Sequence, residues 1–177
     1  MNGKYQAGRP VRAHVGPYYQ AIAAARPNCS TCYGMKQKVL AYVVRQAASS
    51  WQLLVFEHGG NAEAGVQVLA GTVEVNEPIE AALWRELFEE SGPRDTQVAL
   101  VSKLAEAPEP EQNQLRHVYL LQAVAELPEA WTMVVGGDGE DHGMSFNFYG
   151  VDIAPGLELA GGQHRWLPDV FEPDADH

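Results

Sequence analysis

The sequence predicts an α/β (α+β) fold in which a mixed β-sheet is flanked by helices. Segments rich in β-branched and apolar residues recur through most of the 177 residues, and Gly- and Pro-containing turns separate them. A single long helical pattern lies among these segments. Strands that outnumber helices in this way favour one sheet with helices packed on it. The length allows one domain with a substantial core.

The first predicted strand is residues 36–45, which are rich in valine and other apolar side chains. Residues 51–58 are predicted to be its antiparallel partner, because the Ala-Ala-Ser-Ser sequence between the two is typical of a turn. The further predicted strands are 66–71, 96–107, 115–127, 131–135 and 145–153. Two short helices are predicted within residues 17–26 and 161–171.

The strongest helical pattern covers residues 78–90. Pro78 stands at an early helical position and Gly92 lies just beyond the end, where these two residue types are favoured. Leu83 and Leu87 belong to an apolar stripe along this helix. The helix is therefore predicted to bury one face against the sheet.

The adjoining face of the same helix carries Glu86, Glu89 and Glu90. Residues three and four apart share a helix face, so these carboxylates repel one another unless a cation lies among them. Hard oxygen ligands on one rigid element suit Mg²⁺, with Mn²⁺ as a substitute. A solvated acidic helix face is the alternative interpretation.

Composition and charge exclude several functions. The net charge of −11, from 12 basic and 23 acidic residues, argues against a general nucleic-acid binder. No apolar run reaches the roughly 20 residues that a membrane helix needs. The N-terminal residues lack a secretory pattern, so a cytoplasmic protein is expected.

Basic and acidic residues are unevenly distributed. Residues 1–45 contain seven basic side chains and no acidic one, whereas residues 137–177 contain nine acidic side chains and one basic one. We interpret residues 1–34 as a basic extension and residues 35–177 as the globular domain. The extension could dock on the acidic part of its own chain, attract a phosphate-bearing substrate, or contact a second copy in a homodimer.

Cys29 and Cys32 are the two cysteines of the chain. A zinc site needs four ligands, and no second cysteine pair or histidine pair supplies the others. Two reduced thiols in a loop are therefore expected.

The residues around the acidic helix form a spaced motif. Gly71 is followed after five residues by Glu77, and after seven more by Arg85, Glu86 and Leu87; Glu89, Glu90 and Gly92 complete it. This stretch resembles the Nudix box, G-x5-E-x7-R-E-U-x-E-E-x-G-U, in which U is aliphatic. Seven fixed identities at about 7% usage each give a chance match of roughly one in a million for this chain.

Two positions depart from the usual Nudix pattern. Pro93 replaces the last aliphatic residue, and Asn76 stands where glycine is common. Asparagine tolerates the left-handed backbone conformation, so the turn before Glu77 is expected to survive. The order of strands over residues 36–170 also resembles the Nudix fold, which implies an α/β/α sandwich.

The resemblance implies a role for each residue of the motif. Glu86, Glu89 and Glu90 would be metal ligands, and the carbonyl oxygen of Gly71 would add another. Arg85 and Glu77 would form the ion pair that orients the helix against the preceding loop. The family hydrolyses a nucleoside diphosphate linked to another group, with a divalent metal ion.

The general base is left open by the sequence. One candidate is a glutamate of the box, Glu86 or Glu89. Another is an acid in the loop 136–143, which lies between two predicted strands and offers Asp138, Glu140, Asp141 and His142, although this loop could equally be a Gly/Asp hairpin turn. A third loop, 107–114, offers Glu109 and Glu111.

The substrate is the least determined part of the interpretation. Pro108 lies fifteen residues after Pro93, a position at which ADP-ribose pyrophosphatases tend to have proline, so ADP-ribose or a nucleotide sugar is favoured. A (d)NTP pyrophosphohydrolase is the alternative with the same chemistry. A ligand-binding or regulatory module without turnover is the alternative from another class. Five aromatic residues could stack a base or fill the core: Tyr42, Phe56, Tyr119, Phe146 and Phe148.

Overall fold

The computed structural model describes residues 34–48, 50–92, 97–136 and 141–170. Several expectations lie outside these residues. They are the basic extension up to residue 33 with its predicted helix 17–26, both cysteines, and Glu140 of the acidic loop.

Seven strands and one α-helix make up the regular structure of the described residues. The strands are β1 (Lys36–Gln46), β2 (Trp51–His58), β3 (Leu69–Thr72), β4 (Val98–Glu109), β5 (Gln114–Ala123), β6 (Ala130–Val134) and β7 (Ser145–Asp152); the helix is α1 (Ile79–Ser91). Short 3₁₀ segments cover Ala62–Ala64, Pro110–Gln112 and Ala160–Asp169. Each predicted strand therefore corresponds to an observed strand.

β5 ends at Ala123, four residues before the predicted end at residue 127. Two other differences from the predicted elements have local causes. β3 begins at Leu69 and not at residue 66, because Gln67 is joined to β2 by a single bridge to Phe56. The helix predicted at 161–171 is a 3₁₀ segment, Ala160–Asp169. Gly161 and Gly162 in this segment have positive φ angles, which interrupt an α-helix.

The seven strands form one mixed sheet in the order β4-β5-β1-β2-β7-β6, with β3 also paired to β1. One edge of β1 pairs in parallel with β5, from Lys36 to Val44. The other edge is shared: residues 38–41 pair with β3 and residues 44–46 pair with β2, both antiparallel. The mixed sheet confirms the predicted fold class.

Alternate residues of β1 face the two sides of the sheet, as the strand period of two requires. On one side Val39 and Ala41 belong to the same buried cluster as Leu83 and Leu87 of α1. The first core layer is therefore formed between α1 and the sheet.

The opposite side of the sheet is covered by the C-terminal 3₁₀ segment. Leu40 and Tyr42 of β1 are buried there together with Trp166 and Leu167. The Tyr42 hydroxyl donates a hydrogen bond to the carbonyl of Gln163, which fixes the segment to the centre of the sheet. The sheet thus lies between two layers, and the side that carries α1 also carries the motif.

Candidate active site

Arg85 links the helix of the motif to the turn that precedes it. Its Nε and Nη2 donate to the two carboxylate oxygens of Glu77, both at 2.8 Å, so the pair is bidentate. Nη2 also donates to the carbonyl of Thr72 at 2.9 Å, at the end of β3. This arrangement ties the middle of α1 to both the preceding turn and the preceding strand.

The turn before α1 is closed by its own hydrogen bonds. The Glu74 N–H donates to Glu77 Oε2 at 2.9 Å, and the Glu77 N–H donates to the Glu74 carbonyl at 3.1 Å. Asn76 has a φ of 64°, the left-handed conformation that the sequence predicted this residue would tolerate. The hydrogen bonds from Arg85 hold the pKa of Glu77 below its ordinary value.

Gly71 lies directly beneath the side chain of Glu86. A Cβ atom built on Gly71 would stand 1.8 Å from Glu86 Cδ and 2.1 Å from Oε1. Any side chain at residue 71 would therefore displace this carboxylate. The glycine at the first position of the motif is explained by this close approach, since its φ angle does not require one.

Glu86 and Glu89 both approach the guanidinium of Arg85. Nη1 of Arg85 lies 3.0 Å from Glu86 Oε1 and 3.3 Å from Glu89 Oε2. Burial raises the pKa of Glu86, and the Arg85 charge opposes that shift. Arg85 therefore compensates part of the negative charge on this face of α1.

Glu90 is the most deeply buried carboxylate of the cluster. Its relative exposure is 3%, and its Oε2 has no hydrogen-bond partner in the part of the chain that the structure describes. Burial raises the pKa of Glu90 well above its ordinary value, and the charges of Glu86 and Asp141 raise it further. A buried carboxylate oxygen without a partner is costly, so its presence requires an explanation.

The hairpin between β6 and β7 lies beside the C-terminal end of α1. The Gly136 N–H donates to the Glu89 carbonyl at 3.3 Å, and Trp131 Nε1 donates to the Ser91 carbonyl at 3.3 Å. The charge of Asp141 adds to the rise in the pKa of Glu90 that burial and Glu86 cause. The structure thus brings the described part of the acidic loop next to the box.

Other candidates are located away from this cluster. Glu109 forms an ion pair with Arg165 of the 3₁₀ segment, on the face opposite α1. Glu111 is exposed in the turn between β4 and β5. The five aromatic residues that were candidates for base stacking are all buried in the core.

In the sequence analysis, Lys38 was only one of the seven basic residues within positions 1–45. In the structure burial raises the pKa of both Glu86 and Glu90, and the positive charge of Lys38 opposes that rise. Lys38 pairs with Thr72 of β3, next to the Val39–Gly71 pair. The pairing of these two strands is a long-range contact, and the sequence alone did not indicate it.

The donor set fits a hard divalent cation. The partnerless Glu90 oxygen and the glycine that leaves space for Glu86 are features of a site that receives a charged ligand. Among the described residues, however, no three acidic or histidine side chains already converge in a metal-coordinating arrangement. Arg85 instead contacts one oxygen each of Glu86 and Glu89.

A family model described as the NUDIX domain matches residues 35–169, well over half of the chain. The chain therefore belongs to the Nudix family. A comparison with curated protein sequences finds no match. Within the described ranges, no helix combines the length and the apolar character needed to cross a membrane.

Solved structures support the same fold at low sequence identity. A Caenorhabditis elegans Ap4A hydrolase matches with a TM-score of 0.51 and 12% identity over 75% of this chain and 92% of that one. DR0079 from Deinococcus radiodurans matches with a TM-score of 0.53 and 17% identity over 76% and 82%. RenU, a Nudix hydrolase from M. smegmatis, matches with a TM-score of 0.43 and 13% identity over 52% of this chain. This chain covers 63% of the length of RenU.

Proposed function

We propose that this protein is a metal-dependent Nudix hydrolase that cleaves the pyrophosphate bond of a nucleoside diphosphate linked to another group. ADP-ribose and nucleotide sugars are the favoured substrates. The structural relative from C. elegans is named an Ap4A hydrolase, and Ap4A contains phosphoanhydride bonds of the same chemical type. That relationship supports the reaction class and leaves the group beyond the diphosphate open.

The observation that carries this proposal is the buried oxygen of Glu90. Glu86 and Glu89 are paired with Arg85, whereas Glu90 on the same helix is 3% exposed and its Oε2 has no hydrogen-bond partner among the described residues. A carboxylate needed only for stability would be paired or exposed. This arrangement is explained by a cation that is present during the reaction.

Glu86, Glu89, Glu90 and the carbonyl oxygen of Gly71 are the groups that would hold Mg²⁺ or Mn²⁺. When bound, such an ion neutralises the diphosphate and makes the attacking water more acidic. The protein's own contribution is position: Gly71 lets Glu86 lie on the strand, and Arg85 fixes α1 against Glu77.

The proton of the attacking water requires an acceptor within hydrogen-bond reach. We propose either a box glutamate, Glu86 or Glu89, or an acid of the β6–β7 hairpin, Asp141 or Glu140. The hydrogen bond from Gly136 to the Glu89 carbonyl supports the hairpin as a candidate, because it holds the loop against the end of α1.

The proposal is tested by following product release from ADP-ribose, nucleotide sugars, dinucleoside polyphosphates and dNTPs with Mg²⁺ or Mn²⁺. Glu89→Gln and Glu90→Gln are expected to lower kcat/KM by about a hundredfold or more, since each removes a charged ligand. Glu80→Gln is the matched control, because Glu80 is exposed on the first turn of the same helix.

Asp141→Asn then separates the two candidates for the base. A loss comparable with that of Glu89→Gln would assign the role to the hairpin, whereas near-normal rates would favour the box. Full activity in both Glu89→Gln and Glu90→Gln would refute the metal site. Absence of turnover on the whole panel, together with ligand binding, would instead indicate a module without turnover.

A further inference from the structure

A second polar cluster lies on the α1 side of the sheet, on β4 and β5. Lys103 Nζ lies 2.6 Å from Glu106 Oε2 and 3.1 Å from His117 Nδ1. His117 Nε2 lies 3.0 Å from Gln37 Oε1 on β1. We call Lys103, Glu106 and His117 the Lys-Glu-His cluster.

An irregularity in β4 creates this cluster. Lys103 and Glu106 are three residues apart, so in a regular strand their side chains would face opposite sides of the sheet. The register with β5 shifts between Lys103 and Ala105, which adds one residue to β4. Lys103 and Glu106 consequently lie opposite Tyr119 and His117, on the same side as α1.

The charges of the cluster are balanced. Burial and the nearby Lys103 ammonium lower the pKa of His117 to about 4, so the imidazole is neutral at physiological pH. Lys103 Nζ lies 3.1 Å and Glu106 Oε2 lies 3.3 Å from Nδ1, and Gln37 Oε1 lies against Nε2. Burial alone would raise the pKa of Glu106, but Lys103 outweighs it and the pKa is lowered, which keeps the carboxylate ionised.

The cluster and the box lie in one row across the sheet. Glu106 pairs with His117, His117 with Val39, and Val39 with Gly71 beneath Glu86. At about 4.8 Å per strand, His117 is roughly 10 Å and Glu106 roughly 14 Å from Gly71. A substrate whose diphosphate lies at the box could extend along this row to Glu106.

We propose that Glu106 binds the neighbouring hydroxyl groups of a ribose in the substrate, and that Lys103 and His117 position it. This inference rests on the proposed function, because it places the diphosphate at the box. A carboxylate accepts two hydroxyl hydrogens, and the charge of Glu106 is balanced by Lys103, so the cluster fits a neutral diol. The Glu106 side chain is 44% exposed and open to a ligand, whereas His117 is 5% exposed and supports it from below.

The test measures binding of an uncharged nucleoside in EDTA, so that neither metal nor turnover contributes. Adenosine and 2′,3′-dideoxyadenosine are titrated into the full-length protein and followed by NMR chemical shifts. The wild-type protein is expected to bind adenosine about tenfold more tightly, since hydrogen bonds to a charged acceptor are lost with the hydroxyls. Glu106→Ala should reduce this ratio to near one, and Glu106→Gln, which keeps one acceptor, should give an intermediate ratio.

Glu111→Ala is the control, because Glu111 is an exposed acid in the turn that follows β4. Thermal unfolding of each variant establishes that the fold is intact. An unchanged adenosine ratio in Glu106→Ala, no preference in the wild type, or no adenosine binding would each overturn the inference. Discrimination between the nucleosides without any hydrolysis would instead refute the proposed function and retain the ribose site.

Discussion

The box and the Lys-Glu-His cluster lie on the same side of the sheet but differ in how far their charged groups are paired. In the box, carboxylates are crowded, and Glu90 is buried with an oxygen that has no partner among the described residues. In the Lys-Glu-His cluster, Lys103 pairs with both Glu106 and His117. The first arrangement leaves a buried carboxylate oxygen without a partner among the described residues, whereas the second compensates its charges within the folded chain.

The largest effect is expected from Gly71→Ala. The new Cβ would stand 1.8 Å from Glu86 Cδ, so the carboxylate must move away from the strand. A displacement of about 1 Å can lower a rate by roughly a hundredfold, so kcat/KM should fall at least that far. Steady-state kinetics with saturating Mg²⁺ measures the change.

Gly136→Ala is the matched control for this substitution. A Cβ on Gly136 would have no atom of the non-adjacent described residues within 4 Å, although Gly136 also lies beside the box. Equal activities of the two alanine variants would contradict the role of Gly71 in positioning Glu86.

A pH effect on stability is expected from His117. Its pKa is lowered from 6.5 to about 4, so the unfolded chain binds a proton that the folded chain does not. The free energy of unfolding is therefore fully retained above pH 6.5 and declines as the pH falls towards 4, by at most about 3 kcal/mol. Urea unfolding at a series of pH values measures this decline.

The contribution of His117 is isolated by subtracting the stability of His117→Asn at each pH. The neighbours Lys103, Glu106 and Gln37 are unchanged in that comparison, and the effect of the lowered Glu106 pKa appears mainly below 4.5. A difference that stays constant between pH 6.5 and 4.5 would show that His117 is not buried as a neutral group.

A moderate loss of stability is expected for Arg85→Lys. Lysine keeps the charge but cannot make the two parallel hydrogen bonds to Glu77 or the third to Thr72. The expected loss is about 1–2 kcal/mol by chemical denaturation. Lys103→Arg serves as the comparison in the second cluster, and an Arg85→Lys protein as stable as the wild type would show that charge alone is sufficient.

The smallest effect, with the opposite sign, is expected for Glu90→Gln. Replacement of a buried carboxylate whose Oε2 has no hydrogen-bond partner among the described residues should stabilise the metal-free protein by about 1 kcal/mol. Thermal unfolding in EDTA measures this gain, and added Mg²⁺ should stabilise the wild type more than the variant. A less stable variant in EDTA would indicate that Glu90 has a structural partner.

The fold class and the composition of the box were predictable because both depend on local patterns. Segments rich in β-branched and apolar residues located the strands, and the spacing of Glu86, Glu89 and Glu90 placed them on one helix face. The turn at Asn76 was also predicted from the conformational preference of one residue, and its φ of 64° agrees.

The remaining features depend on contacts between distant segments. The parallel pairing of β1 with β5 joins residues about eighty positions apart, and no local pattern specifies it. The extra residue in β4 could not be recognised either, because Lys103 and Glu106 have ordinary strand neighbours in the sequence. The Lys-Glu-His cluster therefore became visible only in three dimensions.

The contacts at the end of α1 show that a contiguous motif need not be a self-sufficient one. Ser91 is held by Trp131, forty residues later, and Glu89 by the backbone of Gly136. A fragment that stopped before Ala130 would retain every identity of the box and lose the segment that contacts Glu89 and Ser91. A truncated or spliced product that contains the whole motif would therefore be expected to be less active than the motif suggests.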